Sequence, residues 1–144
     1  VIGRPTAIAL IAAGVVLTAT AMVLPWYSTA YAGGVEVVVR AWGTEILDKP
    51  GDWPAGELSP WYGVPVVVTA LLLVAGVWIS RAALAGAAGQ LGAVCVIGAL
   101  VVSERGHAVE QQGDFAVGFG LVFLAVGTLV ALAGAVAVQR EAAA

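Results

Sequence analysis

Four runs of apolar residues, 6–24, 64–80, 82–102 and 115–138, contain no Asp, Glu, Lys, Arg or His. A helix needs about 20 such residues to cross a bilayer. With 61% hydrophobic and 10% charged residues, the chain has too little polar surface to cover a water-soluble globule, where about a quarter of residues are charged. The expectation is an all-α membrane protein, a single four-transmembrane-helix bundle over 1–144. The first run follows Arg4 and ends in small residues, as a signal peptide does. Its apolar stretch exceeds the usual 7–15 residues or so of a signal, so it is read as a retained span.

Basic residues set the expected direction. Arg4, Arg81 and Arg140, against Glu141, fall on one side of a four-span chain. The other side carries Arg40, Lys49 and Arg105 against Glu36, Glu45, Asp48, Asp52, Glu57, Glu104, Glu110 and Asp114. Short positive segments stay in the cytoplasm. The expected location is therefore the inner (cytoplasmic) membrane, multi-pass, with both termini cytoplasmic. Trp26 and Tyr27 close the first span, Trp61 and Tyr62 open the second, and Trp78 ends it. Amphipathic rings favour those interfacial levels.

The segment 25–62 is then a long extracytoplasmic loop, and 103–114 a shorter one. In YSTAYAGGVEVVVRAW, two short runs flank Gly33-Gly34, which supply the positive φ of a tight turn. This predicts a small β-hairpin, with Val35, Val37, Val39 and Ala41 on one face and Glu36, Val38, Arg40 and Trp42 on the other. A lone hairpin is marginal in water, so it needs a floor: the helix ends, a partner, or both. Prolines at 50, 54, 60 and 65 make the rest turn-rich. Trp42, Trp53 and Trp61 are the expected outer-loop partner contacts, since exposed Trp is costly. Glu45, Asp48, Asp52 and Glu57 miss the spacing of a calcium loop and read as solvated acids.

Candidate chemistry is sparse. The only cysteine, Cys95, and the only histidine, His107, exclude an intrachain disulfide, a multi-cysteine zinc site and a bis-histidine haem. No cofactor or metal site is expected. His107 with Glu104, Glu110 and Asp114 has metal-compatible donors but no second His or Cys nearby, and reads as part of a polar loop. Cys95 reads as a small buried apolar residue. Gln90, mid-span, must find a hydrogen-bond partner in hydrocarbon. Either it bonds to Thr18, Thr20, Thr69, Thr128 or a carbonyl, or it lines a substrate path. Ion pumps normally place ionisable groups in their spans, and these spans carry none. The net charge of −3 argues against nucleic acid.

Small residues are abundant in the third and fourth spans. Ala85, Gly89, Gly92 and Ala93, and then Gly127, Ala131 and Ala135, offer faces on which helix backbones approach closely. The expected partners are membrane lipid and other membrane-protein subunits.

The layout resembles the claudin-type four-span plan, with sheet and tryptophan in a long first outer loop. The claudin cysteine pair is absent, so only topology carries over. It also resembles the actinobacterial tryptophan-associated transmembrane family, through LPWYS after span one, VEVVV in the hairpin and GELSPWYGVPVVVTALLLVAG entering span two. That resemblance implies no activity. The functional expectation is a non-catalytic accessory or structural subunit of a larger inner-membrane complex, serving respiration, envelope-lipid transport or cell-wall assembly. The alternative is a small carrier or channel for a neutral or lipidic substrate. A metal enzyme centred on His107 ranks below both.

Overall fold

The computed structural model describes residues 2–48, 51, 56 and 62–144. The element order is α1 (Arg4–Val23), β1 (Tyr27–Ala30), β2 (Glu36–Arg40), β3 (Gly43–Leu47), α2 (Gly63–Ala75), α3 (Ser80–Glu110), β4 (Asp114–Val117) and α4 (Phe119–Ala143). Three of the helices, α1, α3 and α4, are long and apolar enough to cross a membrane, and α2 is a shorter apolar helix. The chain is mostly helical, with a small antiparallel sheet.

The helices form two close pairs, α1 along α4 and α2 along α3, joined by contacts between α3 and α4, with only a thin contact between α1 and α2. Two apolar clusters fill the interior. One includes Ala7, Ile11, Leu73, Ala83, Ala87, Ala131 and Ala135. The other includes Ala21, Met22, Trp26, Val66, Ile97 and Leu124 and lies toward the sheet. Between them along the chain of each helix stands one buried polar residue: Thr18 on α1, Thr69 on α2, Gln90 on α3 and Thr128 on α4. The bundle thus has a polar layer between two apolar ones.

The predicted hairpin forms part of a larger unit. Strands run antiparallel in the order β3-β2-β1-β4. The turn has Gly33 at φ 106° and Gly34 at φ 84°, closed by Tyr31 N–H donating to the Val35 carbonyl at 2.9 Å. β3 extends the sheet on one side. On the other, β4 pairs Asp114 with Ala30 and Val117 with Tyr27. β2 is interior to the sheet, and Val38 and Val39 are both buried. The apolar and mixed faces predicted from alternation are therefore both covered at its centre.

Three predicted boundaries move. Residues 103–114 are not all loop, because α3 continues to Glu110. At 31 residues and 1.5 Å per residue it is about 46 Å long, more than the roughly 30 Å hydrocarbon core. It ends in a Schellman motif: Gly113 N–H donates to the Ala108 carbonyl, Gln112 N–H to Val109, and Gln112 sits at φ 55°. The fourth run opens as strand β4, and its helix starts only at Phe119. The second run is helical only to Ala75, with the turn 76–79 leading into α3.

Candidate functional site

The sheet is seated directly on the helix ends. Leu24 ends α1 in extended backbone, as a residue before proline favours, and Pro25 cannot continue the ladder. The last carbonyls of α1 would be orphaned, and side chains take them. The Trp26 indole Nε1–H donates to the Ala21 carbonyl at 2.9 Å. Arg40, on β2, donates to the Val23 carbonyl at 3.1 Å and pairs with Glu45 at 3.3 Å. A guanidinium at a helix C-terminus also meets the negative end of the dipole. Main-chain bonds complete the seat: Trp26 N–H to Val39, Gly118 N–H to Trp26, and Gly120 N–H to Pro25. Trp26 is among the largest fully buried side chains.

Aromatic rings line the seat. Trp26 and Tyr62 lie 6.2 Å apart at 56°, and Tyr27 stacks on Phe115 at 5.4 Å. The Tyr27 hydroxyl is pushed up to about 12, first by burial and then by the negative charge of Glu104 and by Tyr62 and Tyr31. It therefore stays protonated at any physiological pH. Of the expected outer-loop contacts, Trp42 is 39% exposed and lies over Gly63, where an added Cβ would come within 2.8 Å of its ring. Trp53 and Trp61 lie outside the described residues.

In the polar layer, Thr69 donates to the Pro65 and Val66 carbonyls and Thr128 to Leu124, all within their own helices. Among the described residues of this layer, one bond crosses between helices: Gln90 Nε2–H donates to Thr18 Oγ1 at 2.6 Å. Gln90 is fully buried, and its Oε1 has no hydrogen-bond partner among the described residues. Gln90→Leu removes the bond and keeps the volume. Thermal melting in mild detergent should then report a loss of about 0.6–2 kcal/mol, with biological activity retained.

The small residues divide between inside and outside. Gly127, Ala131 and Ala135 are buried. A Cβ at Gly14 would lie 2.6 Å from Ala131 Cβ and 2.7 Å from the Gly127 carbonyl, so Gly127 and Ala131 face α1, while Ala135 belongs to the apolar cluster with Leu73 and Ala83. Gly14 was not singled out from the sequence, yet Ala7, Ile11, Gly14, Thr18 and Ala21 recur at three- and four-residue spacing, the signature of one packed face. On α3 the buried set is Ala83, Gly86, Ala87, Gln90, Ile97, Val101 and Ala108. Ala93 is half-buried against the sheet-side cluster, and Gly89 borders Thr69 of α2. Ala85 and Gly92 are exposed, and a Cβ at Gly92 would have nothing within 4 Å.

Cys95 is exposed on the outer face of α3, where burial was expected. It falls five residues after Gln90, on a different side of the helix. His107 is exposed on the last turns of α3. Among the described residues no three His, Cys, Asp or Glu side chains come together as a metal-ion cage. Compared with known protein families and curated proteins, the chain matches no family model and no curated protein.

Proposed function

We propose that the chain is a four-pass protein of the inner (cytoplasmic) membrane, with cytoplasmic termini and an outer sheet. In this reading it is a non-catalytic accessory subunit of a larger membrane complex. The observation that carries the subunit reading is the outward face of α3. Ala85, Ala88, Gly92 and Ala99 are all exposed there, and Gly92 has open space beside it. Helices in lipid associate through close backbone approach at small residues, and this face is free to receive a helix from a neighbour. A carrier would need Gln90 to line a path, whereas Gln90 is enclosed and bonded to Thr18.

Four passes rest on where α2 begins and ends. Its 13 residues rise only about 20 Å. Yet Tyr62 meets Trp26 at one end, and beyond the other the Val77 carbonyl accepts from Arg4 at the start of α1. Val77, Trp78 and Ile79 extend the apolar surface past the helix. The orientation is tested with single cysteines in a Cys95→Ala background. An impermeant thiol reagent on intact cells should label Asp48→Cys and His107→Cys and spare Arg81→Cys. The reverse pattern overturns the topology.

The subunit reading is tested by gentle-detergent purification of the tagged native protein with mass spectrometry. Stoichiometric subunits are expected, and Ala88→Leu with Gly92→Leu should release them without lowering the melting temperature of the isolated chain. An isolated homo-oligomer would favour a carrier instead.

A further inference from the structure

The end of the bundle away from the sheet holds a niche of about 320 Å³, near the lower bound of roughly 300 Å³ for small-molecule sites. Arg4, Val77, Trp78, Ser80 and Glu141 line it. Arg4 is steered there by donating to the Val77 carbonyl at 3.3 Å. Among the described residues neither Arg4 nor Glu141 joins an ion pair. One guanidinium and one carboxylate therefore share a niche without neutralising each other. Trp78 beside them is 76% exposed.

Farther up the same side, α1 and α2 diverge around an apolar groove of about 260 Å³ lined by Val15, Thr18, Met22, Val67, Leu71 and Val74. Arg4, Val15 and Met22 are separated by 11 and 7 residues, so they lie within about 20° of one line along α1. Val74 of the groove and Val77 of the niche are three residues apart. The charged niche thus stands at the foot of the apolar groove.

We propose that this pair of cavities binds a phospholipid carrying a phosphoethanolamine headgroup. The phosphate meets Arg4, the primary ammonium meets Glu141 and the face of Trp78, and an acyl chain lies between α1 and α2. A zwitterion matches both charges. An anionic phosphatidylglycerol leaves Glu141 unpaired, and phosphatidylcholine has no N–H to give the carboxylate. The inference depends on the chain lying in a membrane and not on its having partner subunits. Its test uses the isolated protein, so either reading can fail alone.

The test is native mass spectrometry of the full-length protein in mild detergent, titrated with dioleoyl phosphatidylethanolamine, phosphatidylglycerol or phosphatidylcholine. Soluble glycerophosphoethanolamine is the fourth ligand. Phosphatidylethanolamine should be retained about two- to fivefold over the other lipids, the range of a solvent-facing ion pair. Arg4→Gln should weaken both phosphatidylethanolamine and phosphatidylglycerol, with Arg4→Lys restoring them. Glu141→Gln should erase the preference for phosphatidylethanolamine. Ala70 also lines the groove, so Ala70→Phe, which fills it, should weaken the lipid and leave glycerophosphoethanolamine unchanged. Equal retention of all three lipids, or selectivity untouched by Glu141→Gln, overturns the proposal. Glycerophosphoethanolamine held as firmly as the lipid would overturn the acyl-chain half and make the site one for a free phosphoethanolamine.

Discussion

Gly14→Leu is expected to prevent recovery of a folded, monodisperse protein in mild detergent. At this position even a Cβ would press on Ala131 and on the Gly127 carbonyl of α4, and backbone cannot rotate away as a long side chain can. Leu adds three further carbons to a contact already closed. Overpacking a tight interior costs about 1–3 kcal/mol, and here α1 and α4 must separate along their crossing, so the loss should reach the top of that range or beyond. Ala131→Leu, the facing partner, should act in the same direction. Gly92→Leu is the control, because nothing lies within 4 Å of a Cβ there, and its melting curve should match the native one. If Gly14→Leu melts like the control, α1 does not approach α4 as closely as described.

Trp26→Ala is the second substitution with a large expected effect. It empties one of the largest fully buried sites and leaves the Ala21 carbonyl without its indole donor. Truncating a buried Trp to Ala costs about 3–5 kcal/mol. Trp26→Phe keeps most of the bulk and loses the hydrogen bond, so it should cost about 1–3 kcal/mol. The damage should be local to the seat of the sheet. Limited proteolysis should cut Trp26→Ala within 27–48 at protease levels that leave the native protein intact, while the α1–α4 contact around Gly14 persists. Trp26→Phe should fall between them. A sheet that resists protease equally in all three proteins would show that Trp26 is not what seats it.

The apolar runs were legible because hydrocarbon demands long uncharged stretches, and the Gly33-Gly34 turn because positive φ favours glycine. Other features left weaker marks. The segment 115–117 reads as the opening of an apolar span, since nothing in three residues distinguishes a strand from the start of a helix. Its role depends on a partner, β1, far away in sequence. The continuation of α3 was hidden because Ser103–Glu104–Arg105–Gly106–His107 looks like a polar loop, whereas a helix clear of the bilayer tolerates those residues. The faces of α3 were hard to read for a different reason. In a soluble helix polar residues mark the outside, but in lipid both sides are apolar. The stretch ALAGAAGQLGA places small residues all round, so spacing alone cannot separate Gly86, which is buried, from Ala85, which is exposed. Gln90 and its threonine partners were named as candidates from the sequence. That Thr18 takes the bond, and that the four residues share one level, follows only from the helix pairing.

The β1–β4 ladder has a consequence for the order in which the molecule is made. β1, β2 and β3 precede α2 in the chain, so they emerge early during synthesis. β4 comes only after α3. Until then the free side of β1, from Tyr27 to Ala30, has unpaired amides and carbonyls, a template open to any extended segment nearby. Closing the ladder also fixes contacts remote in sequence, which slows folding. The newborn chain therefore passes through a stage with a three-stranded, open-edged sheet, and β4 ends it by covering that edge. Truncation just before Asp114 should trap the protein in this stage, with the strand edge available to chaperones, proteases or a second unfinished chain.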